Sequence, residues 1–302
     1  MSGTKDFKGQ TFHLVGCISL EGGQSIFEQP WNDGLISLNV QFTALERAVL
    51  ECACAGCESI WITVNYDNAP LIKSILGDYV EDPYWISHRY DPRPSEIKKR
   101  IPVFYVPLHP DDMGTRDSMG WGIINSALNA NYVAGKISKH LMADMFYAAF
   151  PMGLYDPWSV HNHRPKISSH TNFHITHNSK SFKDNEYLGF TFSQKQLLEV
   201  KAYVKKEGTL RRKSLGEYKQ GEKWVEKLPT SEQYSARRFT IDKVFSKVPV
   251  NTGNKIEVPW YYKLEDWHSY KEYMSSPNEI RRPIRKIFGK NRKLNPVGVD
   301  ND

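Results

Sequence analysis

The chain has 302 residues, 40% hydrophobic and 25% charged, enough apolar side chains for one large α/β domain or two smaller ones. No run of about eighteen apolar residues occurs, which argues against a membrane span. The opening MSGTKDFKGQTFHLVGC lacks the basic start, apolar stretch and small-residue cleavage site of a secretory signal. The net charge is +6. Residues before about position 195 carry roughly −4 and the remainder roughly +10, so any attraction for phosphate-rich partners belongs to the C-terminal part.

FHLVGCISL, Phe12 to Leu20, is a short apolar run closed by a turn at Gly22 and Gly23, and reads as a buried strand. In NVQFTALERAVLECACAG, residues Phe42, Leu45, Val49 and Cys52 recur at helical spacing, with Thr43 placed to start the helix and Gly56 to stop it. SIWITVN, Ser59 to Asn65, is the next strand, and PLIKSILGDYV reads as a short helix. IPVFYVPL, Ile101 to Leu108, is a third strand, followed by the helical GWGIINSALNANYVAGK. This alternation predicts an α/β fold, a mostly parallel sheet flanked by helices. After Phe150 the rhythm breaks into a loop-rich, histidine-rich segment, then a helix in TFSQKQLLEVKAYVKKEG and a basic, aromatic remainder. The expected division is an α/β domain over 1–194 and a smaller α+β region over 195–302 packed on it.

Cys17, Cys52, Cys54 and Cys57 are poorly spaced for a disulfide framework, so a reduced, cytoplasmic setting is expected. Cys52 falls on the apolar face of its helix and reads as core. A Gly-rich turn after the first strand of such a sheet can hold a phosphate through backbone N–H groups. Ligands of these sheets gather beyond the carboxyl ends of the strands. The Gly22–Gly23 turn nevertheless matches neither Walker A nor G-x-G-x-x-G.

Order and texture carry more. The first strand runs into Gly22, Gly23, Gln24 and Ser25, then Pro30 and the apolar LISLN. The phrase ALERAVLECACAGCESIWITVN ends at Asn65, and VPLHPDDMGTRDSMGWGIINSAL sets Gly114 and Thr115 ahead of a helix. WYYKLEDWHSYKEY carries Asp266. In these features the chain resembles a divergent member of the sugar-nucleotide pyrophosphorylases and related nucleotidyltransferases. The resemblance implies a nucleotide-diphospho-sugar transferase (GT-A-like) fold. It also implies nucleotidyl transfer between an NTP and a sugar phosphate with Mg²⁺ (or Mn²⁺), and nucleotide contact by Gly22, Gly23, Gln24, Ser25, Asn65, Gly114 and Thr115. Such chemistry needs carboxylates to hold the ion against phosphates. The resemblance points to Asp144, just before an apolar strand, and to Asp266 as the metal pair, with Arg116 and Asp144 as the catalytic candidates.

The departures bear on chemistry. The family turn carries an Arg after its small residue and a Lys after the Pro, whereas here stand Gln24-Ser25-Ile26 and Pro30-Trp31-Asn32-Asp33. Without those cations, charge developing on a transferred phosphate is less stabilised, unless Arg116 substitutes from another loop. One alternative is a glycosyltransferase with a nucleotide-sugar donor, whose chemistry attacks a sugar carbon. Another is a non-catalytic relative that binds nucleic acid or a protein through basic, aromatic stretches such as ARRFTIDKVF and RRPIRKIFGKNRK. No nucleic-acid reader motif is present.

Three further groups stand out. His161, His163, His170, His174 and His177 share one segment and are compatible with zinc, with substrate contact, or with an ordinary strand in NFHITH. Asp111 and Asp112 form a loop pair that suits either solvent or a metal. Trp31, Trp61, Trp121 and Trp158 offer stacking surfaces for a base or sugar; Trp61 reads as core, and Trp121, between two glycines, as freer to meet a ligand.

Overall fold

The computed structural model describes residues 12–22, 25–83, 100–138, 141–208, 213–214, 225–226, 235–283 and 287–290. Gly23, Gln24 and the basic tail beyond 290 lie outside the described residues.

Nine strands make one mixed sheet. They are β1 (Leu14–Ser19), β2 (Ser59–Thr63), β3 (Tyr79–Glu81), β4 (Arg100–Val106), β5 (Met145–Ala149), β6 (His174–Thr176), β7 (Phe190–Ser193), β8 (Lys255–Glu257) and β9 (Phe288–Gly289). Their spatial order is β8-β6-β7-β5-β1-β2-β4-β3-β9. The centre, β5-β1-β2-β4, is parallel. β7 runs antiparallel to β5 and β6, and β3 antiparallel to β4 and β9. The strands β8 and β9 come from the C-terminal region and close the sheet at its two edges.

Strand β1 is buried along its whole length, as a parallel strand covered on both faces must be. Its side chains alternate: Leu14 and Ile18 join one core, Val15 and Cys17 the other. The first core is packed by helix α1 (Ala44–Ala55) and by α2 (Ala69–Leu76); the second by α3 (Met119–Ile137) and α4 (Gln194–Glu207). A fifth helix, α5 (Trp267–Ser275), follows β8. The α1 start is a capping box, with the Thr43 hydroxyl accepting from Glu46 N and the Glu46 carboxylate accepting from Thr43 N. Such a cap contributes about 1 kcal/mol. Helix α2 is shorter than its sequence suggests. It ends at Gly77, and Tyr79–Glu81 turns back into the sheet as β3. The four cysteines are buried thiols in the core.

A charged group sits inside the first core. Arg47 and Glu51 on α1 are both fully buried, with Nη1 to Oε2 at 3.0 Å. Tyr147 donates to Glu51 (2.7 Å), and Arg47 Nη2 donates to the Phe150 carbonyl (2.6 Å). Burial pushes the Glu51 carboxyl up, against the pull of Arg47 and the two tyrosine hydroxyls. The pair fastens α1 to the end of β5.

Candidate functional site

The parallel strands deliver their following loops to one edge of the sheet, and the Gly22 turn lies there. The Ser19 hydroxyl accepts from Glu21 N (3.2 Å) and donates to the Glu21 carbonyl (3.1 Å), so the chain turns sharply as β1 ends. Gly22 has φ +121°, and a Cβ there would run into the Met119 backbone nitrogen. The turn is thus pressed onto the first residue of α3, a contact that only glycine permits.

A buried polar cluster holds α3 in that position. Thr63, the last residue of β2, donates to the Gly122 carbonyl (2.7 Å) and shares a hydrogen bond with Ser126 (2.8 Å). Asn125 donates to Thr63 Oγ1 (3.2 Å) and to the Pro107 carbonyl beyond β4 (3.3 Å), while Ser126 donates to the Ile18 carbonyl (3.2 Å). Three strand ends and one helix are tied by side chains that a helix otherwise turns to solvent. Gly122 adds to the fit, since a Cβ there would overlap the Ser19 hydroxyl.

Glu21 and Asp117 are two carboxylates of this edge that face one another. The Glu21 carboxyl is pushed up by burial first and by Asp117 second, with the Asn65 backbone N–H hydrogen bonding to it and pulling the other way. Its Oε1 is sealed from water without a hydrogen-bond partner. Asp117 is met by Arg237 in a two-point pair, Nε to Oδ1 at 2.6 Å and Nη2 to Oδ2 at 3.1 Å, and accepts from Gly114 N (3.0 Å).

Of the residues chosen from sequence, Gly22, Asn65, Gly114, Thr115 and Arg116 lie on loops at this edge, but several are engaged. Thr115 Oγ1 donates to the Asp111 carbonyl (2.8 Å), and the Ser25 hydroxyl donates to Asp33 (2.7 Å). Arg116 pairs with Asp112 (2.7 Å) and lies over the Trp121 ring (5.4 Å). Asp112 is therefore the anchor of Arg116.

Asp144 is at the other edge. Its Oδ2 accepts from His13 N (2.8 Å), its own N–H donates to the His13 carbonyl (2.9 Å), and Met145 is in register with Leu14. The length of β1, roughly 16 Å at 3.3 Å per residue, separates it from Gly22. Because parallel strands share a direction, a residue just before one of them belongs to the amino edge. That signal was present in the sequence. Asp266 is the N-cap of α5, its Oδ1 accepting from Ser269 N (2.7 Å), and that bond holds its carboxyl below the usual range. Asp144 and Asp266 are thus each engaged locally, the first on the His13 backbone and the second as a helix cap.

No group of three or more His, Cys, Asp or Glu that could hold a metal occurs among the described residues. The histidines serve separate places. His170 packs edge-on to Phe12, His174 is buried in β6, and His177 Nδ1 lies 3.0 Å from the Val258 carbonyl. Trp121 is also core, 2% exposed, because its side of α3 faces the sheet. Sequence reasoning missed Glu21, whose signal was its place between a buried strand and a Gly turn. It also missed Arg237, which lies 120 residues from its partner and gave none.

A parallel core with a Gly turn on a helix N-terminus and antiparallel strands at its flanks is the sugar-nucleotide transferase fold. Among solved structures the chain is similar to a Bacillus anthracis protein assigned as a glucose-1-phosphate thymidylyltransferase, solved with sucrose. That likeness has a TM-score of 0.51 at 10% identity and covers 93% of this chain and 99% of that one. It is also similar to a UDP-glucose pyrophosphorylase from Acinetobacter baumannii, with TM-score 0.43, 13% identity and coverage of 87% and 91%. A 4-diphosphocytidyl-2C-methyl-D-erythritol synthase from Anaerococcus prevotii gives 0.44, 10%, 87% and 94%. The first likeness supports the fold. No family model matches the sequence, and no curated protein does.

Proposed function

We propose that the chain is a transferase that takes a nucleotide at the carboxyl edge of its sheet and acts on a sugar phosphate, with a divalent ion that Glu21 would help to hold. The observation that carries this reading is Glu21. It is a carboxylate at the head of the Gly22 turn, with one oxygen sealed and unpartnered, beside backbone N–H groups at the start of a nineteen-residue helix. Mg²⁺ commonly takes one or two carboxylates and completes its shell with water and substrate phosphates. Glu21 fits that role, whereas Asp144 and Asp266 do not. When bound, the ion supplies charge for the phosphate oxygens and offsets the repulsion between Glu21 and Asp117. The Gly22 turn and the N-terminal N–H groups of α3 supply further donors for the phosphates. Asn65 holds Glu21 in place, and Arg237 fixes the loop that carries Asp117.

A second reading, glycosyl transfer from a nucleotide-sugar, is favoured by one observation. Arg116 and Arg237, two guanidiniums at this edge, are both held in ion pairs. Attack on the α-phosphorus places new charge on phosphate oxygens and calls on cations. Attack on a sugar carbon breaks its bond to the diphosphate, so the charge falls on the leaving phosphate oxygen and none builds on the α-phosphorus centre.

Thermal shift with the four NTPs and common nucleotide-sugars, with and without Mg²⁺, tests both readings. A ligand at a hundred times its Kd stabilises by about 2.7 kcal/mol. A Mg²⁺-dependent shift with an NTP, reduced in Glu21→Ala, supports the first; a shift with nucleotide-sugars alone selects the second. A flat panel overturns both.

A further inference from the structure

The segment after the Gly22 turn forms a groove of about 470 Å³ against α2 and α5. Its walls include Gln29, Trp31, Ser37, Leu71, Ile75 and Trp267, and none of the described residues that line it carries a charge. Trp31 is 47% exposed and Trp267 52%. The other tryptophans with stacking potential are engaged elsewhere: Trp61 stacks on Phe104 (4.3 Å), Trp121 is core, and Trp158 donates to the Arg281 carbonyl (3.0 Å).

We propose that this groove binds a neutral saccharide, stacked on Trp31 and Trp267 with Gln29 bonding to its hydroxyls. The chemistry of the lining selects the ligand. Uncharged walls give a phosphate or a nucleotide nothing to pair with. A sugar ring presents an apolar C–H face that packs on an indole and a rim of hydroxyls that needs acceptors. Gln29 Oε1 has no hydrogen-bond partner, so turning it toward a sugar hydroxyl breaks no existing bond and satisfies a stranded acceptor.

The groove is also held open in advance. Tyr270 donates to the Ser37 carbonyl (2.6 Å), joining α5 to the loop wall. The Trp267 ring is braced edge-on by Phe27 (5.0 Å) and Tyr270 (5.8 Å). Beside Trp31, Asn32 donates to the Leu20 carbonyl (2.9 Å) and Asp33 accepts from Ser25 and Ile26. Rings fixed in place lose little freedom when a ligand stacks on them. The proposal stands on the groove alone and does not rest on the nucleotide reading.

The test titrates the full chain with maltotriose, cellotriose, chitotriose and mannotriose, read by saturation-transfer NMR and intrinsic tryptophan fluorescence. Glucose 1-phosphate serves as the charged comparison. Trp31→Ala, Trp267→Ala and Gln29→Leu are run beside the wild type, each checked for native thermal unfolding. At least one trisaccharide is expected to bind, with affinity falling about tenfold in each folded tryptophan variant and in Gln29→Leu. No signal from any trisaccharide at about 10 mM overturns the proposal. So does binding that all folded variants retain. So does a wild-type oligomer that Trp31→Ala or Trp267→Ala dissociates, because the groove would then be covered by a second copy. A protein that shifts with nucleotide but binds no trisaccharide loses this inference and keeps the proposed function; the converse result separates them the other way.

Discussion

Arg237 and Asp117 meet in a two-point ion pair, 2.6 and 3.1 Å, across 120 residues of chain. The pair pins a C-terminal turn, Ser235–Arg238, onto the loop that leads into α3. Both side chains are about a quarter exposed, 26% and 21%. Arg237→Met leaves Asp117 facing Glu21 without its countercharge. Full burial would make such a loss worth several kcal/mol, and exposure reduces it, so a fall of about 1–2 kcal/mol in urea unfolding is expected. An unchanged midpoint would mean that the pair is only a surface contact.

The Gly22 contact is sharper. Gly22→Ala must adopt φ +121° and also displace the Met119 backbone. A strained backbone of this kind costs about 2 kcal/mol, and the displacement moves the turn off the N-terminus of α3. The variant is expected to fold with lower stability and to lose its nucleotide-induced thermal shift. A full shift would show that the ligand does not touch this turn.

Asp144→Asn should leave any Mg²⁺-dependent nucleotide shift at its wild-type size, because Asp144 is bound to the His13 backbone at the amino edge. Loss of that shift, with normal unfolding, would return Asp144 to the metal site.

His174 gives a pH signature. It is buried in β6, and burial first, then Lys255, holds its ring below its ordinary value near 6.5. As pH falls through 6.5 the unfolded chain takes up a proton that the folded one resists, so stability decreases toward acid. His174→Gln should flatten that part of the curve. Glu51, pushed up by burial, acts in the opposite sense: its folded form holds a proton longer, so stability decreases as pH rises above the usual carboxyl range. Urea midpoints from pH 5 to 8 for wild type and His174→Gln separate the two.

Local chemistry made much of the fold legible. Alternating apolar runs marked β1, β2 and β4. Thr43 and Gly56 bounded α1 because a capping hydroxyl and a left-handed C-cap act within one turn of chain. The helical period in GWGIINSAL marked α3 but not its orientation, so Trp121 read as a ligand contact and is core.

The sequence by itself determined the alternation of strand and helix, the Gly turn after β1 and the buried thiols, because propensity, capping and hydrophobic period are properties of neighbouring residues. Only the tertiary structure decided which edge each loop reaches. It moved Asp144 away from the Gly22 turn, brought Arg237 to Asp117, and set Trp31 beside Trp267. Those relations depend on strand direction and on which distant elements share a face, and neither is written in the spacing of nearby side chains.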